Sequence, residues 1–271
     1  MYLVEEAVEL DLDLPGGFIF DIETTGLSYR YHRLAMIGYL YQENGGWVLR
    51  QELAEKEEEE KLLLLNFLRI SEKFLYTVHY NGKKFDLPFL NNRSKALGIS
   101  EGFDIRRGFD LYLHVRKKKY PGRQGLNDQE RRIGYKRKDR LSGQDWVSFY
   151  SYYEKTGDLK SRDLLLLHNW DDLMGTGALV KHEKDFQQSI RDRLYKDSLI
   201  VQGFPGEDEI RLLLYGDKAY YMDLEAKSLD RMLFTRDVSD SMSPEEKKER
   251  LLAFENTCFY RNIKRELERL G

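Results

Sequence analysis

Apolar and polar positions alternate most clearly from Phe18 to Glu23. There Phe18, Phe20 and Ile22 share one side of an extended chain, and Asp21 and Glu23 share the other. The turn signal Pro15-Gly16-Gly17 precedes this strand, and Met1 to Leu14 reads as a weakly alternating extended arm. Leu34 to Tyr41 and Trp47 to Leu53 predict two further strands split by Glu43-Asn44-Gly45-Gly46, so the opening strands form an antiparallel meander. Glu55 to Ile70 reads as a helix whose acidic start suits the helix dipole. Phe74 to His79 predicts a strand, Pro88 to Leu97 a helix and Phe109 to Val115 another strand. A helix over Trp146 to Tyr153 and a buried helix over Asp163 to Leu179 follow. A meander, a crossover helix and further strands imply a mixed sheet covered by helices.

The pattern changes near residue 190, which predicts a domain over 1–190 and a C-terminal extension over 191–271. Asp197 to Phe204, Glu209 to Tyr215 and Lys218 to Leu224 read as short antiparallel strands. Ser243-Pro244-Glu245-Glu246 starts a helix that carries Leu251, Phe254, Cys258, Ile263 and Leu267 on one stripe to Leu270.

Composition narrows the class. Hydrophobic residues make up 41% of the 271, enough to bury a sizeable core. A single cysteine, Cys258, rules out an intrachain disulfide framework, and no apolar run reaches membrane-span length. The N-terminus lacks a secretion-signal pattern, so the expected location is the cytoplasm. The net charge of -3 gives no global attraction to nucleic acid. Arg116 to Arg140 departs from it, with eleven Lys or Arg against Asp128, Glu130 and Asp139. That concentration suits a track for a polyphosphate backbone; the alternative is a solvated loop and helix face.

Asp21 and Glu23 at a strand end repel each other when both ionise, and a divalent cation between them reverses the penalty. Asp86 follows a strand and turn. His168 and Asp172 lie four residues apart on one helical face. Four carboxylates from separate elements suit magnesium or manganese; zinc fits less well, since no Cys or His cluster has ligand spacing. Two such ions about 4 Å apart clamp both the attacking and the leaving oxygen of a phosphodiester displacement. His168 stands where it accepts or orients the water's proton. Asp171 is the competing ligand, but it lies about 100° around the helix from Asp172. His79 and His114 read as ordinary strand-end residues, and His32 and His182 as exposed ones.

Phe20-Asp-Ile-Glu-Thr-Thr-Gly-Leu27 resembles the first motif of the DEDD superfamily of 3′–5′ exonucleases, which have a ribonuclease-H-like fold. Tyr80-Asn-Gly-Lys-Lys-Phe-Asp-Leu-Pro-Phe-Leu90 resembles the second motif, and His168-Asn-Trp-Asp-Asp172 the third. The chain is most similar to bacterial predicted exonucleases with a ribonuclease-H-like domain, some of which carry tetratricopeptide repeats. Gly125-Leu126, Glu130 and Gly134 fit that group too. The resemblance covers Gly17 to His182 and omits the C-terminal extension.

The fold it implies is α/β: a mixed five-stranded sheet, three antiparallel strands then parallel ones, flanked by helices. Asp21, Glu23 and Asp172 would hold the first of two magnesium or manganese ions. Asp21 would also reach the second, which Asp86 would hold largely through water. Thr25, Gly26 and Leu27 would line the 3′ terminus, with Leu27 wedged against the last base, while Asn81 and Phe85 would touch the preceding nucleotides. Without that implication, Thr24 and Thr25 read as turn caps and Phe85 as core. The third motif usually reads Tyr-x-x-x-Asp or His-x-x-x-x-Asp. Here a histidine stands at the tyrosine-type spacing, which leaves its role open between base and orienting group. The implied activity is metal-dependent 3′–5′ hydrolysis of single-stranded or frayed DNA or RNA. Rival readings are a non-catalytic nucleic-acid-binding module, a ribonuclease-H-type endonuclease and a structural assembly protein.

Overall fold

The computed structural model describes residues 1–201, 210–215, 218–222 and 234–235, as backbone alone from residue 195 on. The chain divides into two compact units, Met1–Gln187 and Gln188–Gly271.

The first unit is built on a six-stranded sheet of β1 (Tyr2–Val8), β2 (Gly17–Thr24), β3 (Leu34–Glu43), β4 (Gly46–Leu53), β5 (Tyr76–His79) and β6 (Gly108–Asp110). The spatial order is β1-β4-β3-β2-β5-β6. The first four strands in that order are antiparallel; β5 joins β2, and β6 joins β5, in parallel. The sheet therefore has one strand more than expected. The N-terminal arm is β1, paired along its whole length from Tyr2↔Leu53 to Val8↔Trp47. Its alternation is weak because it lies at the sheet edge and buries little, yet it satisfies the backbone groups that β4 would otherwise leave open. Asn44 (φ 50) and Gly45 (φ 81) close the β3–β4 hairpin as a left-handed two-residue turn, the geometry that matches strand twist.

One face of the sheet is covered by α1 (Glu60–Ser71) and α2 (Asp86–Ala96). Phe18, Phe20 and Ile22 of β2 pack there with Leu63, Phe67 and Leu87. The predicted helix from Glu55 is in fact a single 3-10 turn, Glu57–Glu59, followed by α1. α2 starts two residues before Pro88, so the proline occupies the first turn, where its missing N–H costs nothing. The predicted strand Phe109 to Val115 is a correction: it stops at Asp110 and becomes α3 (Leu111–Lys118). Asp110 caps that helix by accepting the Tyr112 N–H at 3.0 Å, and Leu111 and Val115 bury one face at helical spacing. α4 (Leu126–Ile133) comes next.

The opposite face carries α5 (Gly143–Thr156) and α6 (Leu159–His182), and α7 (Lys184–Asp197) follows. Trp146, Tyr150 and Leu165 pack on Ala35, Met36 and Leu53. Both helices are longer than their apolar stripes, because caps extend them. Ser142 and Asp145 form a capping box on α5, and Asp158 accepts the Ser161 N–H at 2.8 Å on α6.

In the second unit, β7 (Ser198–Val201), β8 (Ile210–Tyr215), β9 (Lys218–Met222) and β10 (Phe234–Thr235) form an antiparallel sheet in the order β10-β9-β8-β7. The helix expected from Ser243, with Cys258, lies outside the described residues. Among the described residues no helix is long and apolar enough to cross a membrane.

Glu60 ties three elements together. Its carboxylate accepts the Leu34 N–H at 2.8 Å and both Arg93 Nε at 2.7 Å and a terminal Arg93 nitrogen at 2.5 Å, while it is itself buried. Glu60→Ala leaves the Arg93 cation without its carboxylate, with the Tyr29 carbonyl still in reach, and the Leu34 N–H without this acceptor. It should cost about 3 kcal/mol in denaturant unfolding, whereas a loss below about 0.5 kcal/mol would mean the pair is not structural.

Candidate functional site

Asp21 stands opposite Gly38 on β3, and Gly38 stands opposite Gln51 on β4, so the three form one row across the sheet. α6 crosses this row closely because Gly38 has no side chain. A Cβ there would lie 2.0 Å from the Asn169 Oδ1 and 2.7 Å from Leu173. Asn169, fully buried, therefore settles over the glycine. It donates its amide to Asp21 Oδ2 at 3.0 Å and accepts from Gln51 Nε2 at 3.1 Å. One oxygen of Asp21 is thus fixed by a chain of amides reaching two strands away. Beside it, the β2–β3 register shifts between Glu23 and Thr24, a bulge of the kind that re-aims side chains at a strand end.

Asp86 arrives from the other side of β2 on the first residue of α2. The loop before it depends on Gly82, where a Cβ would lie 2.6 Å from the His79 ring and 2.7 Å from Asp86 Oδ2. The Gly82 N–H donates to His79 Nδ1 at 3.0 Å, and the N–H groups of Asn81 and Lys83 donate to Asp110 at 2.9 and 3.1 Å. Asn81 itself sits in the left-handed region (φ 63), which asparagine tolerates better than most residues. His79 is buried in the β5 strand end, and desolvation by that burial pushes its pKa down to about 3, with Lys83 adding to the shift. It is a neutral hydrogen-bond acceptor.

α6 supplies the remaining groups. His168 Nε2 lies 3.6 Å from Glu23 Oε1 and 3.7 Å from Asp172 Oδ2, while its Nδ1 lies 2.7 Å from Asp139 Oδ2. Asp171 turns away from these groups, accepting the Tyr135 hydroxyl at 2.9 Å and the N–H groups of Lys138 and Asp139 at 2.7 and 2.6 Å. It anchors the segment between α4 and α5. That segment delivers Arg137, whose guanidinium donates to Asp172 Oδ1 at 2.5 Å, Glu130 at 3.1 Å and Asp139 at 3.2 Å. Glu130 fits beneath α6 only because residue 175 is glycine: a Cβ there would lie 1.8 Å from its Oε1.

The electrostatics follow from burial. Desolvation raises Asp21, Glu23 and Asp86 above the ordinary carboxylate range. The charges of Asp172 and Asp86 add to it at Asp21, and those of Asp21, Asp172 and Asp86 at Glu23. Asp86 is pushed up to about 8, first by burial and then by Asp110 and Asp172. Glu130 is pushed up to about 7 by burial, with Arg137 opposing. Asp139 goes the other way: burial favours its neutral form, but the Leu141 N–H, His168 and Arg137 together outweigh that. The charges of Asp172 and Asp86 thus lie close enough to Asp21 and Glu23, and that of Asp172 close enough to Asp86, to oppose the ionisation of those three. Atoms of Glu23, His168 and Asp172 lie within 4.8 Å of one another, a separation that one metal ion spans.

The residues expected along a substrate are placed unevenly. Thr25 bridges to Arg33, donating its N–H to the Arg33 carbonyl at 3.0 Å and accepting the Arg33 N–H on its hydroxyl at 3.0 Å. Thr24 donates its hydroxyl to the Gly26 carbonyl at 2.9 Å, so both threonines shape the turn after β2. Gly26 lies under His32, whose ring would be 2.4 Å from a Cβ there. Leu27 projects into solvent, 85% exposed. Phe85 packs on the core beside Phe89, ring centroids 5.5 Å apart, rather than standing free. His114 is on α3, not at a strand end, and its Nε2 lies 3.4 Å from Glu183.

Within the basic segment, Arg132 pairs with Glu183, Lys118 with Asp185 and Arg137 with the site, and Lys138 lies over the Trp170 ring. Tyr120 and Tyr135 spend their hydroxyls on Glu183 and Asp171. Arg116, Lys117, Lys119, Arg123, Lys136 and Arg140 are exposed. Asn169, Gln51, Arg137 and Asp139 are the functional neighbours that sequence reasoning missed. Only the similarity at Glu130 and Gly134, which continues through Tyr135-Lys136-Arg137, pointed toward any of them.

Comparison with curated proteins gives no match. Among solved structures, the family B DNA polymerase from the hyperthermophilic archaeon Pyrobaculum calidifontis aligns with a TM-score of 0.52 at 19% identity, over 61% of this chain. The aligned part spans only 24% of the polymerase, so the likeness is one of fold. A structure described as the apo form of the nuclease aligns over 67% of this chain and 74% of its own, at 18% identity and a TM-score of 0.38. The family model RNase_H_2, described as RNase_H superfamily, matches residues 18–183, which hold Asp21, Glu23, Asp86, Asp139, Asp172 and the strands from β2 to β6 but for Gly17. By that match, the chain belongs to the RNase_H superfamily.

Proposed function

We propose that the protein is a metal-dependent 3′–5′ exonuclease acting on single-stranded or frayed nucleic acid. The observation that carries the reading is the convergence of four carboxylates drawn from β2, α2 and α6, close enough that neighbouring charge adds to desolvation in opposing the ionisation of Asp21, Glu23 and Asp86. Such a cluster is unfavourable by itself and favourable around divalent cations. Asp21, Glu23, Asp86 and Asp172 would hold two magnesium or manganese ions. When bound, these supply an activated water and charge neutralisation at the leaving 3′ oxygen. Asn169 holds one oxygen of Asp21 and Arg137 one oxygen of Asp172, so both carboxylates keep a fixed orientation.

Action at an end rather than in the middle of a strand is supported by Leu27. An exposed leucine immediately after a tight turn offers an apolar wedge for a terminal base. The exposed cations on α3 and the loop after it offer a path for the strand behind. Purified protein with magnesium or manganese should release mononucleotides from the 3′ end of a labelled oligonucleotide. Asp21→Asn should lower the rate by at least about a hundredfold. Undiminished hydrolysis in that variant would remove the site assignment, and undiminished degradation of a 3′-blocked strand would replace exonuclease by endonuclease action.

The raised carboxyls also fix a pH trend. A carboxyl whose native pKa lies above its unfolded one binds a proton more tightly in the native state. Its contribution is present at low pH and fades as pH climbs toward the native value, about 8 for Asp86. The melting temperature in chelator should therefore fall between about pH 5 and pH 8. Each tenfold difference in proton affinity between the native and unfolded chain is worth about 1.4 kcal/mol per group. Manganese should raise the melting temperature, most at the alkaline end. A chelated protein whose melting temperature rises steadily over that interval would contradict the electrostatic account.

A further inference from the structure

We propose that His168 is itself a metal ligand, its Nε2 joining Glu23 and Asp172 on one ion, and that the site therefore favours a first-row transition ion over magnesium. This rests on the metal-dependent reading above and specifies it.

The His168 side chain is 9% exposed and its ring is held at one nitrogen. Asp139 Oδ2 lies 2.7 Å from Nδ1, and the same carboxylate is pinned by the Leu141 N–H at 2.8 Å and by Arg137 at 3.2 Å. An ionised carboxylate only accepts, so Nδ1 donates to Asp139 and Nε2 is the ring nitrogen left to face the cluster. Nε2 lies 3.6 Å from Glu23 Oε1 and 3.7 Å from Asp172 Oδ2, both beyond hydrogen-bonding length. Three atoms able to bind a metal, one each from Glu23, His168 and Asp172, converge within 4.8 Å of one another. The other oxygen of Asp172 is already taken by Arg137, which leaves Oδ2 to the cluster. A ring held by a carboxylate on one nitrogen and open on the other is the arrangement in which histidine binds metals. Imidazole nitrogen suits transition ions, whereas magnesium prefers oxygen ligands and keeps its waters.

The test is manganese binding to the full chain, followed by electron paramagnetic resonance without substrate. Electron spin-echo modulation should carry a nitrogen-14 signal from a directly bound imidazole. His168→Asn should abolish that signal and weaken manganese binding about tenfold. Asp139→Asn should weaken it by a similar factor with the signal diminished. Displacing manganese from the unaltered protein should need roughly a hundredfold excess of magnesium, and about tenfold less in His168→Asn. Bound manganese without nitrogen modulation overturns the ligand assignment and leaves a metal-dependent nuclease standing, and that readout needs no variant. Hydrolysis with magnesium but no manganese binding also overturns the assignment alone. Absence of both manganese binding and hydrolysis overturns the assignment and the nuclease reading together.

Discussion

Like charge held in a dry place is the constraint around which this protein is arranged. Asp21, Glu23, Asp86 and Asp172 come from three elements, and desolvation together with neighbouring charge makes the ionised forms of the first three costly. The surroundings answer with donors rather than with more charge at the centre. An amide donates to Asp21 and a guanidinium to Asp172. The centre itself is left to electron-rich atoms.

Close approach makes this possible. Glycines at 38, 82 and 175 each stand where a single methyl group would collide with Asn169, with His79 and Asp86, or with Glu130. α6 can lie against the sheet, the Asp86 loop can fold onto β5, and α4 can fit beneath α6. Each contact brings one functional side chain within reach of the others. The basic segment fits the same logic. Arg137 leaves the run of surface cations and enters the site, while its exposed neighbours stay available to a polyphosphate.

Much of this was legible in the residues. The alternation over Phe18 to Glu23 requires two carboxylates on one side of a strand and aromatic rings on the other, and they are so placed. The helical spacing of His168 and Asp172 likewise puts both on one side of α6. Where local pattern failed, a tertiary partner decided. Residues Leu111 to Val115 are apolar enough for a strand, yet Asp110 caps them into a helix. The arm before Pro15 alternates too weakly to read as a strand, yet the open edge of β4 recruits it.

The sequence by itself determined the sheet-and-helix class, the ordering of the acidic motifs and the concentration of positive charge between residues 116 and 140, because these depend on periodicity and neighbours along the chain. Only the tertiary structure decided that Arg137 is a site residue, that Asn169 clamps Asp21 through the gap at Gly38, and that Asp139 turns the His168 ring. Those roles arise from contacts between segments far apart in the chain. Nothing in the local pattern separates an arginine that meets a buried carboxylate from one that meets water.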